Sequence, residues 1–121
     1  MKRSYTLLFF VFSVFCFAQK PEIKKIDSIN NLPFEVRLKD ASILDKVYLK
    51  NAENAAKLNY DLGEVKSYSN SSLVYYYQGK YEKDLSYSLK AIRIFEKIKD
   101  LENLSLEWGE LGYRMKKRNL E

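Results

Sequence analysis

GKYEKDLSYSLKAI, residues 79–92, decides how this chain is read. Leu85, Leu89 and Ile92, continued by Phe95 and Ile98, recur at gaps of three and four residues, which puts them on one face of a helix over about Tyr81 to Lys99. Gly79 stands just before it, where a preceding helix can end in the left-handed conformation that glycine adopts without steric cost. Asp84 is the odd residue: a carboxylate at a position where close helix packing favours something small and apolar.

The same periodicity extends in both directions. Towards the N terminus a helix is predicted over about Leu62 to Gln78, introduced by LNYDLGE, in which Asn59 and Gly63 act as breakers and Asp61 and Glu64 have capping-box spacing. Before it, Phe34, Leu38, Ala41, Leu44, Tyr48, Ala52, Ala55 and Leu58 form one stripe on a single long helix. A short helix runs from Pro21 to Asn31 and is interrupted by Leu32-Pro33, since the residue before proline avoids the helical region. Towards the C terminus, Leu104, Trp108, Leu111 and Met115 predict a helix over about Glu102 to Arg118. The expected fold class is all-α, with short antiparallel helices joined by short turns.

A shift of forty residues brings elements into register. Tyr68 falls on Trp108, Ser72 on Gly112 and Tyr75 on Met115: a large aromatic, a small residue, then a large one. WGELGYRM (108–115) and YSNSSLVY (68–75) resemble the first helix of the tetratricopeptide repeat family, and Gly79, Tyr81, Leu85 and Ala91 resemble its turn and second helix. Asp84 and Ser88 depart from that pattern, which has alanine and a large aromatic there. The resemblance covers about residue 38 onward, with one complete repeat at about 65–100 and partial repeats on either side, after a lead-in at 19–37. It implies an α-solenoid fragment and, from the forty-residue period, a likeness to the exported repeat regions that precede bacterial sensor histidine kinases and helix-turn-helix regulators.

The resemblance also implies a concave groove. Lys66, Ser69, Leu73, Tyr76 and Tyr77 would lie on it, followed by Leu106, Gly109, Tyr113, Lys116 and Lys117 from the next unit. Such an aromatic and basic surface suits an extended, acidic peptide or a partner protein, and Tyr75 would instead be core. Asp84 would meet Ser72 across the close approach and lie near Ser88. The face of Trp108 and Leu111 would lack a covering helix and invite self-association.

Residues 1–18 are different in kind. Lys2 and Arg3 precede an apolar stretch from Leu7 to Phe15 and a small-x-small ending at Cys16-Phe17-Ala18, the layout of a signal peptide cleaved before Gln19. The stretch is shorter than the roughly 20 residues a membrane span requires. Export to the periplasm is therefore expected, with contact with the membrane confined to export. Lipid attachment at Cys16 is the minor alternative, disfavoured by the bulk of Phe15.

Loss of the leader lowers the formal charge from +5 to +3 and leaves no cysteine and no histidine. That removes the usual zinc ligands, the thiol nucleophile and the imidazole base. The small basic excess, interspersed with acids, gives no nucleic-acid signature. Glu107 and Glu110 share a helical face but read as a solvated acidic pair. The expectation is a protein-binding module with no enzymatic activity and no cofactor; the alternative is a structural fragment of a longer repeat protein with no independent function.

Overall fold

The computed structural model describes residues 20–120, so the leader, its cleavage site and Cys16 lie outside the described residues. These residues are all-α. Residues 20–30 form α1, followed by α2 (Phe34–Lys39), α3 (Ala41–Lys57), α4 (Asp61–Tyr77), α5 (Tyr81–Lys97) and α6 (Leu101–Leu120). The stripe expected on one long helix is divided at Asp40, whose φ of −123° and ψ of 41° are not helical. Its apolar spacing runs straight through this break, which is why periodicity alone predicts a single helix.

Helices α3, α4 and α5 are each 17 residues long. Each ends in a three-residue connection whose middle residue has positive φ: Asn59 at 54°, Gly79 at 75° and Lys99 at 58°. The amides of Tyr60, Lys80 and Asp100 return to the carbonyls of Ala55, Tyr75 and Phe95 at 2.9, 2.9 and 3.0 Å, closing the Schellman-type cap. Glycine explains Gly79, and asparagine tolerates the conformation at Asn59, whereas Lys99 adopts it against its preference.

The expected capping box is not formed. Asp61 is already the first residue of α4, Tyr60 is the N-cap, and no side chain caps the helix. Gly63 is not a breaker either, because it lies inside α4 where α1 crosses. A Cβ there would sit 2.9 Å from Ile26 Cγ2 and run into the Tyr60 ring. Tyr60 fastens the same crossing by donating its hydroxyl to Asp27 Oδ1 at 2.8 Å, and burial, aided by that carboxylate, pushes its pKa up to about 12.

The core is laid down along the seams between consecutive helices. Leu44, Tyr48 and Val74 form a buried cluster between α3 and α4, with Ile29, Leu32 and Val47 against it. Val65, Ala91 and Phe95 form another between α4 and α5, flanked by Tyr68, Ile98 and Leu104. On α5 the deepest line is Asp84, Ser88, Ala91, Ile92 and Phe95; Leu85 and Leu89, expected innermost, are only half-buried.

Asp84 does not meet Ser72, whose hydroxyl donates to the Ser69 carbonyl. It is 2% exposed and is gripped by Arg114 from α6, with Nε to Oδ2 at 3.2 Å and Nη2 to Oδ1 at 3.0 Å. Ser88 does lie beside it, donating to Oδ1 at 3.2 Å and accepting from Arg114 Nη2 at 3.0 Å. Two-point charge-assisted bonding of this kind is directional as well as strong, so it fixes α6 on α5.

Candidate functional site

Tyr75, Tyr76 and Tyr77 are consecutive on α4, so their side chains fan out by about 100° each. Tyr75 is buried, stacked on Tyr87 with ring centroids 5.5 Å apart. Tyr76 is half-buried and Tyr77 is half-exposed, and both turn towards α6. Their rings meet edge to face at 5.3 Å, with Phe34 edge-on to Tyr77 at 5.8 Å and Tyr81 beside Tyr76 at the same distance. This mutual bracing holds the phenols in place without a ligand.

Opposite them, α6 presents Leu106, Gly109, Tyr113 and Lys117. Together the two helices enclose an open cleft of about 460 Å³, largely apolar, with Leu73 on the α4 wall. Tyr113 is 64% exposed, and Lys117 Nζ lies 5.8 Å from its ring centroid. A flat aromatic wall facing another across such a space can hold an extended chain by contact area, while the ammonium can meet a carboxylate.

Seven of the ten groove residues named from the sequence therefore line this cleft: Leu73, Tyr76, Tyr77, Leu106, Gly109, Tyr113 and Lys117. Lys66 and Ser69 line a smaller neighbouring hollow of about 200 Å³, bounded by Leu62, Leu106, Glu107 and Glu110. Lys116 lines neither and projects into solvent. The cleft is also less basic than the sequence suggests. Arg114 reaches its wall but is 6% exposed and engaged by Asp84, and the exposed Glu110 stands on the same wall as Lys117.

Glu107 is not a solvated acid. It is 6% exposed, accepts the Ser69 hydroxyl at 2.9 Å, and has its pKa raised by burial, with the Ser69 bond and Arg114 acting in the opposite direction. Its bond to Ser69 ties α6 to α4 across the cleft, while Asp84–Arg114 ties α6 to α5. The sequence signal was present but ambiguous: Glu107 and Arg114 sit seven residues apart on one helical face, a spacing that surface charges share.

No protein-family model, curated protein or solved structure matches this chain.

Proposed function

We propose that the chain is an exported protein-interaction module of tetratricopeptide type, which holds an extended peptide in the cleft between α4 and α6. The observation that carries this reading is the braced aromatic wall of Tyr76 and Tyr77, with the exposed Tyr113 on the other wall of an open and mainly apolar space. The equal lengths of α3, α4 and α5 and the like-shaped turns at Asn59, Gly79 and Lys99 support the repeat reading. Lys117 favours a peptide with an acidic side chain or terminal carboxylate near Tyr113, and apolar side chains fill the rest. The groove is short, so binding is weak, with Kd of about 10–100 μM.

Selection from a library of unstructured peptides tests the cleft. Peptides that bind the wild type should lose about tenfold or more in affinity with Tyr76→Ala/Tyr113→Ala at unchanged helicity, and Lys117→Glu should select against acidic ones. Equal affinity for the wild type and the double tyrosine variant would remove the cleft as the binding site. Export rests on the charge and apolar layout of residues 1–18, and the mass of the secreted N terminus tests it.

A further inference from the structure

One side of α6 has no covering helix among the described residues. Leu101 is 72% and Trp108 50% exposed, Met115 is half-buried, and Ser105 and Gly112 lie among them, with Leu104, packed on the α4–α5 cluster, at the edge of this side. Leu111, by contrast, is buried. The line forty residues earlier on α4 shows what such a side can take. Val65 packs on Ala91 and Phe95 of α5, and Tyr68 and Tyr75 stack on Tyr87 at 5.9 and 5.5 Å.

We propose that this side of α6 pairs with the same side of a second copy, the two helices running antiparallel about a twofold axis. Charge selects that occupant and orientation. α6 carries Glu102 in its first turn and Lys116 near its end along one edge of this side, while Lys117 and Arg118 turn away to the cleft and to Tyr81. Antiparallel copies set acid against base at both ends, whereas parallel copies set like against like.

Shape agrees. With the axis beside residue 110, Trp108 of one copy falls opposite Gly112 of the other, and Ser105 falls opposite Met115. A Cβ built on Gly112 meets nothing within 4 Å, so the space above it is free for an indole. An axis at Trp108 would instead bring the two indoles into collision. Because each helix offers the patch its partner needs, the contact closes as a dimer and does not propagate. It uses a single helix face per copy, at the small end of specific interfaces, so the dimer is weak. Tyr113 points roughly 140° away from Trp108 around the helix, so the seam meets the cleft only at its rim, where Ser105 borders both.

Trp108 is the sole tryptophan and reports directly on its own burial. Sedimentation equilibrium and tryptophan emission on the chain as the expressing cell delivers it should both show a monomer–dimer transition between about 1 and 500 μM, with emission moving to the blue. Gly112→Leu should raise Kd at least tenfold at unchanged helicity. Glu102→Lys and Lys116→Glu should each weaken pairing, and the double reversal should restore it, which rescues only an antiparallel partner of the same sequence. A wild type monomeric throughout, or pairing indifferent to Gly112→Leu, would overturn the proposal. So would a double reversal as weak as the singles.

Discussion

The seam between α3 and α4 and the seam between α5 and α6 place their buried side chains at positions forty residues apart, yet with opposite chemistry. Leu44, Tyr48 and Val74 fill the first; Asp84, Ser88 and Arg114 fill the second. An apolar triad gains stability from burial alone and is indifferent to small changes of angle. An ionic triad must first be taken out of water, and most of the attraction between its charges goes to offset that cost. What it adds is geometry: one arrangement of Nε and Nη2 on the two carboxylate oxygens, hence one placement of α6. The seam beside the candidate cleft is thus the one specified by direction, and the seam remote from it by fit.

The largest effect should come from breaking the ionic triad halfway. Asp84→Ala leaves the Arg114 guanidinium buried without its main partner and should cost about 3–5 kcal/mol in denaturant melts. The sequence alone supports the opposite sign, a gain of roughly 1 kcal/mol from removing a buried carboxylate, because it does not reveal a partner thirty residues away on α6. Transplanting the other seam, as Asp84→Leu/Ser88→Tyr/Arg114→Val, should restore that loss and add about 1–4 kcal/mol. A triple variant less stable than the wild type would show that the two seams differ in backbone spacing as well as in chemistry.

The smallest effect concerns pH. Glu107 has its pKa raised in the folded state, so between its unfolded and folded values the native protein holds a proton that the unfolded chain does not. Its contribution to stability therefore falls as pH rises through the folded pKa and recovers on acidification, contrary to the usual trend for a carboxylate. Glu107→Gln keeps an acceptor for the Ser69 hydroxyl and should remove this contribution, raising stability at neutral pH by up to about 1 kcal/mol. Unchanged pH dependence in the variant would assign the raised pKa no role in the ionic seam.

The legible part of the fold is what hydrophobic spacing and turn residues encode. Helical periodicity, Pro33, Asn59 and Gly79 place α4, α5, α6 and the end of α3 to within a few residues. The break at Asp40 was hidden because Leu38, Ala41 and Leu44 maintain the spacing across it. The left-handed residue at the end of α5 was hidden because it is a lysine. At the candidate site, the three tyrosines could be sorted by their angular fan, and Tyr113 by the forty-residue offset. Arg114 and Glu107 could not be found the same way, since a buried ion and a solvated one look alike in sequence until the opposing helix supplies, or fails to supply, the counter-charge.

From α3 onward the principal packing is between consecutive helices, α3 with α4, α4 with α5 and α5 with α6, the last being the least extensive. Such a chain closes mostly short loops as it forms, so its rate of assembly is limited by helix docking rather than by a search for distant segments. Packed less extensively on α5 than α4 is on α3 or α5, α6 opens in fluctuations that leave those longer seams intact. Because α6 forms one wall of the cleft, a peptide lodged there would lower the rate of that opening, and the protection of a single helix would measure occupancy.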